Sequence, residues 1–109
     1  MGVRRLERLG YNATLVLQAM SRGHRYGFEI MKVADLPSGT VYPLLRRLER
    51  TRLAESRWED VDPSDEGRPR RRNYRITPEG ERALAAAVER MAARQALFGL
   101  PAGRGGGRG

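Results

Sequence analysis

Between Gly39 and Arg50 the apolar residues Val41, Leu44, Leu45 and Leu48 recur at i, i+3, i+4 and i+7. That spacing puts all four on one side of a helix and predicts that they bury against a core. At about 100° per residue the remaining positions divide sharply: Gly39, Pro43, Arg46, Arg47 and Arg50 point outward, with Thr40 and Tyr42 on the flanks. Small residues come first, where a backbone can approach a groove, and guanidinium groups follow, suited to phosphates or guanine edges. This is the construction of a DNA-reading helix.

Two further helices precede it. Asn12 offers an N-cap, Ala13, Val16, Leu17 and Met20 repeat at helical spacing as far as Ser21, and Gly23 supplies a stop. From Tyr26 to Asp35, Gly27, Ile30, Met31 and Ala34 share a face with Phe28 beside it, and Leu36-Pro37 ends the pattern. Ser38 is a candidate cap for the arginine-faced helix, and Pro43 lies near enough to its start to cost a slight kink rather than a break. Two helices joined by a few residues form a helix-turn-helix.

After Leu53 the period changes from 3.6 to 2. Ala54, Ser56 and Trp58 alternate with Glu55, Arg57 and Glu59, which predicts a strand. A loop rich in Asp, Pro, Ser and Gly runs from Asp60 to Pro69, and Arg71 to Ile76 forms the return strand of a hairpin. Thr77-Pro78 opens a last helix, with threonine as cap and proline at the first helical position. Its Leu84, Val88, Met91, Gln95 and Phe98 are spaced 4, 3, 4, 3, the seam of a helix lying along another helix. With little domain left to cover, the seam predicts a homodimer, with Leu6 and Leu9 joining the contact.

The order is that of a mainly α protein with a two-stranded β-wing, a winged helix-turn-helix plus a C-terminal dimerisation helix. Residues 1–10 read as a basic arm or short helix, 11–77 as the DNA-binding domain, 78–98 as the dimerisation helix and 99–109 as a disordered glycine-rich tail. At 109 residues the chain is one domain with a modest core, which oligomerisation would help.

Charge sharpens the functional expectation. The net charge of +8 and a pI near 11.1 favour a polyanionic partner, double-stranded DNA first. Lys32 is the only lysine. GC-rich coding also enriches arginine, so the placement of the arginines says more than their number. With no cysteine and one histidine, disulfides, thiolate metal sites and histidine clusters are excluded, and no cofactor is expected. No apolar run reaches the length of a membrane span or of a signal peptide's hydrophobic stretch, so no membrane partner is expected and the expected location is the cytoplasm. Nothing sits at the spacing of a nucleophile, phosphate loop or metal site, which argues against an enzyme.

Four arginines, Arg68, Arg70, Arg71 and Arg72, gather at the glycine- and proline-shaped Gly67-Pro69 turn of the hairpin, placed to reach along a DNA backbone or into a minor groove. An opposing run, Glu59, Asp60, Asp62, Asp65 and Glu66, precedes them. These acids either pair with the arginines in the absence of DNA or keep the loop soluble.

Several linked motifs in one order resemble the PadR family of bacterial transcriptional regulators over residues 12–84. They are Tyr26-Gly27-Phe28-Glu29-Ile30, Gly39-Thr40-Val41-Tyr42-Pro43 with Leu45-Arg46-Arg47-Leu48-Glu49, Glu55-Ser56-Arg57-Trp58, Gly67-Arg68-Pro69, and Tyr74-Arg75-Ile76-Thr77-Pro78-Glu79-Gly80. The resemblance implies a winged-helix repressor that dimerises through its terminal helices and binds an inverted-repeat operator, in the short subgroup with one C-terminal helix. It implies DNA contacts from Ser38, Thr40, Tyr42 and Arg47, and from Arg68, Arg70 and Arg71 of the wing. Gly39, Pro43, Arg46 and Arg72 complete the expected DNA-facing set. Three departures bear on the analogy: Phe28 stands where tyrosine is commoner, Asn73 replaces an aromatic, and the link before Gly39 is short.

Trp58 is expected to pack in the core or against its strand, His24 to be a turn residue, and the Arg104 and Arg108 tail to be a frayed end. A small-molecule effector is a further expectation, entering the dimer interface beside Met91, Phe98 and apolar N-terminal residues. The competing class is a winged-helix interaction module whose basic faces dock an acidic protein partner.

Overall fold

The computed structural model describes residues 9–99. Residues 1–8 of the expected arm, Leu6 among them, and the tail beyond Gly99 lie outside the described residues. Helices α1 (Tyr11–Ser21), α2 (Gly27–Ala34) and α3 (Ser38–Arg50) lead into strand β1 (Ala54–Trp58). The short helix α4 (Pro63–Glu66), strand β2 (Arg72–Ile76) and the long helix α5 (Pro78–Leu97) follow.

Helix α1 is the central post. Its Val16 and Leu17 are fully buried and form the core with Ile30 of α2, Val41, Leu45 and Leu48 of α3, Ala54 and Tyr74 of the strands and Leu84 of α5. Three of the four positions of the α3 stripe are therefore core, and Leu44 packs partly buried at its edge. Fully removing a leucine or isoleucine side chain from water stabilises by about 1.5–3 kcal/mol, so these few residues fix how α3 sits on α1.

Two caps differ from the sequence reading. Helix α1 begins at Tyr11 after Gly10, not at Asn12, because the Gly10 carbonyl accepts both the Thr14 amide (3.0 Å) and the Thr14 hydroxyl (2.8 Å) and closes the first turn early. Helix α3 is preceded by Pro37, and Ser38 is already helical. The Pro37 carbonyl takes the amides of Thr40 and Val41, both at 3.0 Å, so proline's restricted φ sets the helix start and no side chain caps it. Pro43 is accommodated within the helix. Gly23, with φ +96°, turns the chain out of α1.

The two strands form one antiparallel ribbon in which Ala54 pairs with Ile76, Ser56 with Tyr74 and Trp58 with Arg72. An isolated bridge from Tyr26 to Asn73, and a 2.7 Å bond from the Tyr74 amide to the Arg25 carbonyl, attach the entrance of α2 to the free edge of β2. The expected loop contains one helical turn, α4, because Asp62 caps it by accepting from the Ser64 amide (2.9 Å) ahead of Pro63. At the far end Thr77 caps α5 by accepting from the Gly80 amide (2.9 Å) while its hydroxyl donates to the Arg52 carbonyl (2.8 Å). The same threonine thus starts the helix and pins it to the turn after α3.

Helix α5 divides in two. Gly80, Leu84 and Ala87 are buried, whereas Val88, Leu97 and Phe98 are exposed, the last two by about four fifths of their surface. Leu84, expected in an intersubunit seam, is spent on the chain's own core. Sequence spacing does not distinguish the two, since one stripe serves both halves of the helix.

Candidate nucleic-acid interface

The turn between α2 and α3 is three residues long, with Asp35 in the left-handed region (φ 58°) followed by Leu36 and Pro37. It presents the uncapped start of α3 to solvent, with Pro37, Ser38 and Gly39 exposed. No side chain occupies the amides of that first turn, so the positive end of the helix dipole is open to an anion. Along the same helix Pro43, Arg46, Arg47 and Arg50 are exposed, and Arg46, Arg47 and Arg50 have no carboxylate within ion-pair distance among the described residues.

Tyr42 has a second duty. Its ring lies directly on Gly27, where an added Cβ would stand 2.6 Å from the ring carbon Cε1. Any larger residue there would displace the end of the Tyr42 ring, and the contact joins α3 to the start of α2. Gly27 is flanked by Tyr26 and Phe28, whose rings stack at 6.1 Å, and the Arg71 guanidinium lies over both, 5.5 Å and 5.2 Å from their centres. The buried Gly27 thus joins Tyr42 of α3 to the aromatic pair that carries Arg71 of the wing. Phe28, a departure from the commoner tyrosine, keeps the ring that Arg71 covers.

Glu59 organises the wing. One position beyond β1 it continues the ribbon register opposite Arg71, whose amide donates to its Oε1 (3.0 Å) while its own amide donates to the Arg71 carbonyl (2.9 Å). Arg68 Nη1 lies 2.8 Å from Oε1, and the Tyr26 hydroxyl donates to Oε2 at 3.3 Å. The Arg68 guanidinium, then the Arg71 amide and the Tyr26 hydroxyl, outweigh burial and hold the carboxyl at about 2, against an ordinary 4.5. Arg68 is raised reciprocally, chiefly by its bond to Glu59, and Glu66 adds a weaker contact at 3.7 Å. Of the two readings of the acidic run, pairing describes Glu59 and Glu66, while Asp60, Asp62 and Asp65 are exposed.

The other wing arginines are also placed. Arg70 Nε donates to the Val61 carbonyl (2.8 Å), leaving the side chain exposed. Arg72 donates through Nε to the Ser56 hydroxyl (3.0 Å), lies 3.8 Å from Glu49 and sits 4.9 Å over the Trp58 ring. The Ser56 hydroxyl in turn donates to Glu49, so the inner face of the ribbon is fastened to α3. Trp58 is 56% exposed, so of the two expected roles, core or strand packing, the core is excluded and the ring packs against Arg72, its partner on β2. Burial raises the Tyr74 phenol behind this junction, where its ring completes the core.

The sequence reading brought together the outward face of α3 and the wing arginines and offered Glu59 as one of their acidic partners, but missed its bonds to the Arg71 amide and the Tyr26 hydroxyl, the Tyr26–Asn73 bridge and the Tyr42–Gly27 contact. The alternation already ran to Glu59, and only the ribbon register sets it opposite Arg71. The other two join segments with no shared periodicity, so only the assembled fold shows them.

Helix, helix-turn-helix, ribbon and long terminal helix, with an open basic helix face beside an arginine-bearing wing, define a winged-helix transcription regulator. The profile of the transcriptional regulator PadR-like family matches residues 16–86, more than half of the chain, and the chain belongs to that family. Its members are transcription regulators, not enzymes. A PadR family transcription regulator from Clostridium difficile is 26% identical over 83% of this chain and 96% of its own, with a TM-score of 0.71. A transcriptional regulator from Clostridium thermocellum is likewise 26% identical, over 83% and 88% of the two chains, at 0.72. A PadR-like regulator from Bacillus cereus, 22% identical over 80% and 86%, shares the fold at 0.67. No curated protein matches the chain. Among the described residues no helix is long and apolar enough to cross a membrane.

Proposed function

We propose that this regulator binds duplex DNA as a homodimer and represses transcription from an inverted-repeat operator. The observation that carries the reading is the open start and arginine face of α3, linked through the Tyr42–Gly27 contact to the Tyr26–Phe28 pair that carries Arg71 of the wing. Ser38 and Gly39 bring backbone amides and Thr40 its hydroxyl to the duplex, Arg46 and Arg47 read or flank bases in the major groove, and Arg70 and Arg71 hold the adjacent backbone. Arg68 and Arg72 act by shaping the wing as much as by contact, since each is already engaged within the chain. The exposed half of α5, with Val88, Met91, Gln95, Leu97 and Phe98, pairs with a second copy beside Leu9 and sets the two reading helices about 34–36 Å apart, one turn of DNA.

The test is a gel shift on the DNA upstream of its own gene, titrated with salt and competitor. Arg47→Ala costs about 1–3 kcal/mol on operator DNA, whereas Arg70→Ala weakens all sequences alike and flattens the salt slope. Equal affinity of parent and both variants would overturn the assignment.

A groove of about 530 Å³ between the start of α1 and the outer half of α5, lined by Leu9, Tyr11 and Met91 among others, favours a second element of this reading. A small-molecule effector seated there changes the spacing of the reading helices. A ligand that raises the melting temperature without altering DNA affinity would count against it.

A further inference from the structure

Trp58 contributes no side chain to the buried core, although a ring of its size is normally a large contributor to burial. More than half its surface is open, and its indole N–H has no hydrogen-bond partner among the described residues. One face of the ring is taken by the Arg72 guanidinium, 4.9 Å away.

Its location gives the exposure a direction. Alternation along β1 places Trp58 on the same ribbon face as Ser56, whose hydroxyl meets Glu49 of α3. Arg72, opposite Trp58 in register, reaches the same glutamate. Trp58 and Arg72 therefore stand in the angle between the reading helix and the wing. If α3 occupies a major groove and the wing addresses the neighbouring minor groove, the sugar–phosphate strand separating the grooves passes through that angle.

Resting on the DNA-binding reading, we propose that Trp58 is a DNA-contacting residue of the regulator. Its open face packs on deoxyribose, its indole N–H donates to a phosphate, and Arg72, fixed by Ser56 and Glu49, supplies the charge behind the ring. A contact with the strand rather than with base edges carries no sequence information. It therefore strengthens operator and unrelated duplexes by the same factor.

Trp58 is the only tryptophan of the chain, so the intact protein reports on the contact directly. A fluorescein-labelled duplex from upstream of its own gene is titrated while anisotropy follows binding and tryptophan emission follows Trp58. The expected result is a change in Trp58 emission and protection from acrylamide on binding. Trp58→Ala is expected to lose about fivefold or more in affinity on operator and unrelated DNA alike. Trp58→Phe, which keeps a ring for Arg72 but lacks the donor, falls between. Binding by anisotropy with Trp58 emission and quenching unchanged, or a Trp58→Ala variant that binds like the parent, overturns this inference alone. No binding of either duplex overturns the DNA-binding reading and the inference with it.

Discussion

Glu59 shows how much a single side chain decides in a small domain. Its carboxylate receives the Arg68 guanidinium, the Arg71 amide and the Tyr26 hydroxyl, joining the wing tip, the wing edge and the start of α2. Because its folded value near 2 lies below the ordinary 4.5, its contribution is complete above about pH 4.5 and is lost as pH falls through 2. The melting temperature of the parent should accordingly exceed that of Glu59→Gln by the largest margin near neutrality, and the margin should close in acid. A margin independent of pH over this range would remove the charge from the explanation. Tyr42 illustrates the same economy, with one ring clamping α3 to Gly27 while remaining more than a third exposed on the proposed DNA side.

At the scale of elements, the junction after α3 is the point where the reading helix, the ribbon and the terminal helix are tied together. Arg52 turns the chain in the left-handed region (φ 65°), the Leu53 amide returns to the Leu48 carbonyl at 2.9 Å, and the Thr77 amide donates to the Leu53 carbonyl at 3.1 Å. The Thr77 hydroxyl adds the α5 cap and the bond to Arg52. Thr77→Ala removes both side-chain bonds and should destabilise by about 1–2 kcal/mol in chemical denaturation. A smaller loss would mean that Pro78 and the burial of Leu84 alone fix the start of α5. The wing is an element of a different kind, held less by apolar packing than by arginines lodged on carboxylates and aromatic faces. Periodicity reports none of that: the ribbon was legible as two alternating segments and Glu59 and Glu66 as acids able to pair with its arginines, whereas Glu49, Ser56 and the aromatic faces as partners were not.

For the whole molecule, the unequal halves of α5 matter most. The inner half completes the core through Leu84 and Ala87, and the outer half offers Val88, Leu97 and Phe98 to solvent. Exposed large apolar residues grouped on one helix end mark an interaction surface more often than isolated ones do. Replacing Val88 and Phe98 together by glutamate should leave helicity intact, since neither is buried in the chain, yet convert the proposed dimer to a monomer by light scattering. Operator affinity should then fall by about tenfold or more, because one half-site no longer tethers the other. A double variant that stays dimeric would place the subunit contact elsewhere.

The stripe of Val41, Leu44, Leu45 and Leu48, the alternation from Ala54 to Trp58 and the Thr77-Pro78 start are local patterns, each readable from neighbours in sequence. They determined the order of elements, the outward set on α3 and the class of protein. The engagement of Arg68 and Arg72, the clamp of Tyr42 on Gly27 and the division of α5 were decided by tertiary structure. Each depends on which residue of a distant segment arrives opposite, and a periodicity carries no record of that.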